Sequence, residues 1–182
     1  MTKNIDRRVA RTRATLHHAL LSLIVERGYE ALSVQDICDA AGIGRSTFYA
    51  HYTGKDDLKR SGLDHLKMAL KGHGRAGGLG FTAALFAHGR DFAGHYRALK
   101  GSLGAAVSTA ALRTVLFELV AEGLAHDGGT RFERELRVRF VAGALMSVLT
   151  WWLDNGAVES PEAVDALFHR LIGDGVGEGP QK

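Results

Sequence analysis

A single cysteine, Cys38, and only two prolines stand among 182 residues. One thiol can close no internal disulfide and build no thiolate metal cluster, which excludes a disulfide-stapled scaffold and fits a reducing cytoplasm. Scarce proline leaves helices unbroken, and no window alternates Val, Ile and Thr at strand spacing, so the chain is expected to be all-α. The longest apolar run, Phe140 to Leu153, is shorter than the roughly 20 residues that span a bilayer, and no membrane partner is expected. Lys3, Arg7, Arg8, Arg11 and Arg13 crowd the amino terminus without the apolar segment of a secretory signal behind them.

What is present is unevenly placed. Residues 1–75 hold 13 Lys and Arg against 8 Asp and Glu, a net +5, while the remainder carries −2. This asymmetry points to an amino-terminal module that meets a polyanion and a second module with another task. From Arg7 to Arg27 the apolar positions Val9, Leu16, Leu20, Leu23 and Ile24 follow the spacing of an amphipathic helix that ends at Gly28. Ser33, with Asp36 three residues on, predicts a capped second helix, and Gly42 predicts its left-handed end. "Ile43-Gly44" then turns the chain into a third helix, Arg45 to Tyr52, and a fourth begins near Lys55. Two short helices joined at a glycine are the pattern of a helix-turn-helix, with Ile43 plugging the gap and Cys38 a small core side chain.

The run "GHGRAGGLG" from Gly72 to Gly80 lacks the Gly-Lys-Ser/Thr of a phosphate loop and has no strand before it, so it is a linker. Beyond it helices are predicted near 81–90, 91–100, 105–126, 131–155 and 160–173, giving about nine in all. The boundaries drawn are 1–54 for the basic arm and helix-turn-helix domain, 55–80 for the connecting helix and linker, 81–174 for a helical bundle, and 175–182 for a flexible tail.

The stretch "SVQDICDAAGIGRSTFYAHYTGKDDL", behind a basic arm and an amphipathic helix, resembles the DNA-binding domain of the tetracycline-repressor (TetR) family of transcriptional regulators over about residues 7–60. The resemblance implies an all-α protein in which an amino-terminal three-helix domain binds an inverted-repeat operator in double-stranded DNA and a carboxyl-terminal bundle forms a homodimer and holds a small-molecule effector. It implies a cytoplasmic regulator, a repressor released by its effector, rather than an enzyme. The alternative is a helical small-molecule-binding or adaptor protein on the same scaffold without operator binding. A recognition helix turns one face to DNA and the other to its own core. Arg45 and Thr47 are therefore assigned to base edges, and Ser46, Tyr49, His51 and Lys55, with Ser33, Gln35, Arg7 and Arg8, to the rest of the DNA contact. Phe48 and Tyr52 are assigned to the core.

No catalytic constellation and no cofactor motif is found. His88 and His95, seven apart, share a face if their helix is continuous, but a metal would need further ligands that the sequence does not supply. Candidates for the implied effector pocket are Phe86, His88, His95, Tyr96, Phe117 and Trp151, a mixed aromatic and polar set. "FVAGALMSVLTWWLDNG" followed by "SPEAVDALF" looks like the closing helix pair that makes the dimer in this family, which assigns Phe140, Leu145, Val148, Trp152, Val164, Leu167, Phe168 and Leu171 to the interface. Trp151 and Trp152, about 100° apart on a helix, must face different surroundings.

Overall fold

The computed structural model describes residues 2–73 and 78–176. Residues 74–77 of the expected linker and 177–182 of the expected tail lie outside the described residues. Among the described residues nine helices run in order: α1 Thr2–Arg27, α2 Val34–Ala41, α3 Arg45–Tyr49, α4 Lys55–His73, α5 Thr82–Asp91, α6 Ala93–Leu99, α7 Leu103–Gly123, α8 Arg131–Asp154 and α9 Pro161–Val176. No strand occurs among the described residues. The chain gathers into two compact units, residues 1–65 with 94–111 and residues 66–93 with 112–182. Their boundaries fall inside α4 and α7 and after the first residue of α6. Residues 94–111, placed with the bundle from the sequence, pack within the first unit.

In the first unit Leu16, Leu20, Leu23 and Ile24 of α1 bury one face against Ile37 and Cys38 of α2, Phe48 of α3 and Leu58 of α4. Phe48 and Leu58 are fully enclosed, and Leu99 completes the cluster. At Gly62 a Cβ would lie 1.8 Å from Nε2 of His17, so any side chain there would have to displace the His17 ring. The amino-terminal basic residues, expected as an arm, extend α1 back to Thr2.

The core of the second unit is aromatic. Phe86 of α5 meets Trp152 of α8 edge to face at 5.8 Å and Phe168 of α9 at 6.3 Å, a geometry that suits the ring quadrupoles. Arg90 donates to the carbonyls of Ala157 (3.1 Å), Val158 (3.2 Å) and Glu159 (2.9 Å). One guanidinium thereby fixes the turn between α8 and α9, where Ala157 adopts φ 52°.

Helix α8 is apolar on two opposite faces. Val141, Ala142, Leu145, Leu149, Trp152 and Leu153 are buried inward. Phe132, Leu136, Phe140 and Trp151 are exposed, Trp151 by 62%. With the exposed Gly143 and Ser147 between them, they form an outer stripe about 100° wide on a helix of 3.6 residues per turn. Leu145 and Trp152, assigned to a dimer interface from sequence, belong instead to the chain's own core, as does Phe168, because they point to the inward side of their helices. Phe140, Leu167 and Leu171 are exposed, and Val148 and Val164 half-buried. By length and composition alone α8 could cross a membrane, but only a third of its most apolar window is buried in the chain, and its inward face packs on α5 and α9.

Candidate nucleic-acid interface

Ser33 caps α2 reciprocally. The Asp36 N–H donates to Ser33 Oγ (3.2 Å) and the Ser33 N–H to Asp36 Oδ2 (2.8 Å). The hydrogen bonds from Ser33 hold the Asp36 carboxyl below its ordinary pKa. At the other end Gly42, with φ 63°, donates back to Asp39, and Ile43 to the Cys38 carbonyl at 3.0 Å. This left-handed residue, which any side chain would strain, redirects the chain within two residues into α3.

On α3 the single buried side chain is Phe48, and Arg45, Ser46, Thr47 and Tyr49 are exposed. Phe48 packs edge-on to Tyr49 at 5.4 Å and against Tyr52 at 5.7 Å. The Arg45 guanidinium lies 5.8 Å from the Tyr49 ring centre, a cation–π contact that orders both exposed groups. The helix ends at Tyr49 rather than Tyr52, but His51 and Tyr52 still donate to the Phe48 carbonyl at 2.9 and 3.0 Å. Tyr52 is thereby turned inward, with Arg13 of α1 6.0 Å from its ring centre, and His51 stays half-buried beside it. Arg7 and Arg8 are exposed on α1.

Three of the residues assigned to DNA are engaged inside the domain. Ser33 serves the cap just described. The Gln35 amide donates to Asp39 at 2.7 Å. Lys55 Nζ donates to the carbonyls of Leu32 (2.7 Å) and Tyr29 (3.0 Å), with Glu30 at 3.5 Å, and sits 4.6 Å from the Tyr29 ring centre. Its ammonium faces the loop between α1 and α2, which corrects its assignment to the DNA contact. Tyr29 was not singled out in the sequence. It is buried, lies between Lys55 and Lys59, and donates its hydroxyl to Asp56. The only sequence signal was the i, i+4 spacing of the two lysines, because their common partner lies 26 residues from Lys55.

The expected effector set does not come together within one unit. His95 and Tyr96 belong to the first unit, and Phe86, His88, Phe117 and Trp151 to the second. Phe92 separates α5 from α6, so His88 and His95 share no continuous helix. His88 stacks on Phe92 at 4.2 Å, and burial lowers its pKa. Phe86 is core and Trp151 is exposed.

Residues 8–60 match the family model of bacterial regulatory proteins of the tetR family. Over 76 residues the chain is 38% identical to the uncharacterized HTH-type transcriptional regulator YxbF of Bacillus subtilis (strain 168), taking in 37% of this chain and 20% of that protein. The alignable part spans about a fifth of the length of the curated relatives it matches. The fold extends much further. A TetR transcriptional regulator from Streptococcus agalactiae 2603V superposes with a TM-score of 0.66 at 21% identity, over 94% of this chain and 99% of that one. The transcriptional regulator FadR of Bacillus subtilis, solved in complex with stearoyl-CoA, superposes with a TM-score of 0.54 at 17% identity, over 86% and 95%.

Proposed function

We propose, because residues 8–60 match the family model of bacterial regulatory proteins of the tetR family, that the chain is a sequence-specific, double-stranded-DNA-binding transcriptional regulator. The observation that carries this reading is α3 itself: Arg45, Ser46, Thr47 and Tyr49 exposed around one buried Phe48, on a helix whose entry is fixed by a capped α2 and a left-handed glycine. That is the construction a major-groove reader requires. Arg45 offers paired donors to a guanine edge and Thr47 a hydroxyl and methyl, while Arg7, Arg8, Tyr49 and His51 meet phosphates. Ser33, Gln35 and Lys55 hold the reading head in place.

The outer stripe of α8, with Leu167 and Leu171 of α9, supports a homodimer. Two reading heads related by a twofold axis call for an inverted-repeat operator. The stearoyl-CoA seen in FadR supports a small-molecule effector for the second unit, with release of a repressor as its consequence. The reading places the chain in the cytoplasm and gives it neither an enzymatic role nor a cofactor.

Fluorescence anisotropy with the full chain, on a duplex from its own upstream region and on a shuffled duplex, tests the reading across a salt series. Preference for the upstream duplex, lost in Arg45→Ala and Thr47→Ala, is the expected result. Equal affinity for the two duplexes in unaltered protein overturns sequence-specific regulation.

A further inference from the structure

A groove of about 260 Å³ in the second unit is walled by Leu79, Leu124, Val141 and Ile172, with Gly173 at its side, and its polar lining consists of Arg137 and His169. No carboxylate lines it. The wall is anchored at its backbone. The Gly78 N–H donates to the Gly123 carbonyl at 2.8 Å, and a Cβ on Gly123 would lie 2.4 Å from the Gly78 oxygen. Leu79 and Leu124, the next residue in each strand of chain, are held by that junction.

Both polar groups are oriented by groups outside the groove. Arg137 donates from Nη1 to the Gly128 carbonyl at 3.2 Å, which leaves the remaining donors of a five-donor fork for other acceptors. Glu133, one turn earlier on α8, accepts from the N–H and hydroxyl of Thr130 at 2.7 and 2.9 Å. His169 Nε2 lies 2.8 Å from Oγ1 of the fully buried Thr82, and that oxygen lies 2.6 Å from Asp165 Oδ1. A hydroxyl has one proton. Directed to Asp165 or to the Leu79 carbonyl at 2.9 Å, it leaves Thr82 accepting from the Nε2–H of His169.

We propose that this groove binds a short monocarboxylate with an apolar tail, its head at Arg137 and its tail among the four aliphatic side chains. A guanidinium beside aliphatic walls selects a carboxylate over a neutral or cationic head, because only an anion forms a bidentate, charge-assisted pair with it. The volume lies below the roughly 300–1,000 Å³ of pockets for drug-sized ligands, which limits the tail to a few carbons. The site deepens the reading of the chain as an effector-responsive regulator and rests on that reading for its consequence, though the binding itself is independent of DNA.

Calorimetry on the full chain with hexanoate, hexanol and hexylammonium as probes tests the site. Hexanoate is expected to bind saturably, roughly tenfold or more tighter than hexanol, as the loss of one charged hydrogen-bonding partner implies, with hexylammonium weaker still. Arg137→Gln should bring hexanoate to the level of hexanol and leave hexanol unchanged, and Arg137→Lys should recover part of the difference. Equal affinity for hexanoate and hexanol, or none for hexanoate, overturns the proposal, and does so on unaltered protein even where a variant fails to fold. Repeating the operator titration with saturating hexanoate separates the two readings. Binding of hexanoate without any change in operator affinity upholds the site and overturns its role as an effector site.

Discussion

Lys55 is an anchor of its own domain: its ammonium holds the carbonyls of Leu32 and Tyr29 and so ties the start of α4 to the loop before α2. Lys55→Ala should destabilise the first unit by about 1.5–3 kcal/mol, the scale of hydrogen bonds to a charged group, while leaving the salt slope of DNA binding unchanged. Arg45→Ala should do the reverse, costing about 1–3 kcal/mol on the preferred duplex with no change in melting. Thermal melts beside a salt titration distinguish the two, and a shallower slope for Lys55→Ala would return that residue to the phosphates. His17 makes a second prediction at this scale. Burial lowers its pKa to about 4, with His65, Lys59, His95 and His18 acting in the same direction. The ring is therefore neutral in the native state, while the unfolded chain takes up a proton below its ordinary value of 6.5. Between those values the unfolded state binds more protons, so stability falls as pH falls, by about 1.4 kcal/mol per unit and about 3 kcal/mol in total by pH 4. Denaturation midpoints of the chain and of His17→Gln, measured from pH 7 to 4, should converge as acid is added. Parallel curves would show that His17 is not buried neutral.

At the scale of elements, α2 and α3 were legible because what bounds them is local. Ser33 with Asp36, and Gly42 followed by Ile43, carry their signals within four residues, and the structure uses each of them. Ser33→Ala should cost about 1 kcal/mol, and Gly42→Ala about 1–2 kcal/mol through the left-handed backbone, both read as shifts in the melting of the first unit. Helix α8 was legible as a helix but not in its orientation. With apolar side chains on opposite faces, its periodicity does not say which face turns inward, nor which of the adjacent Trp151 and Trp152 enters the core; the buried one is Trp152. The deciding partners, Phe86 and Phe168, lie on other helices. The same distance in sequence hid the carbonyls that hold Lys55 and the Thr82 hydroxyl that meets His169. Trp152→Ala should therefore destabilise the second unit by about 3–5 kcal/mol, as for other buried large aromatics, whereas Trp151→Ala in the isolated subunit should stay within about 0.5 kcal/mol. Equal losses in dilute, monomeric samples would contradict the two-faced arrangement.

For the whole molecule, a homodimer through the outer stripe of α8, as proposed above, predicts that DNA affinity depends on a second copy of the chain. Phe132, Leu136, Phe140 and Trp151 stand exposed along one side of a helix, and a contiguous apolar surface of this kind marks an interaction face. Gly143 and Ser147 lie within the stripe, where small side chains let a twofold-related helix approach closely. Phe140→Glu with Trp151→Glu places like charges against one another across such an axis while touching nothing in the core of the subunit. The double variant should sediment as a folded monomer at micromolar concentration. Linking two reading heads turns the second half-site contact into an intramolecular event, an advantage of roughly 10²–10⁴ in affinity. The monomer should lose that factor on an inverted repeat, yet bind a single half-site as well as the unaltered chain does. Adding about five base pairs, half a helical turn, between the half-sites should impose a similar loss on the unaltered dimer, since two heads on one rigid pair must meet the same side of the duplex. It should impose none on the monomer. A double variant that remains dimeric removes α8 as the interface, and one that is monomeric yet binds the repeat at full strength removes the need for paired heads.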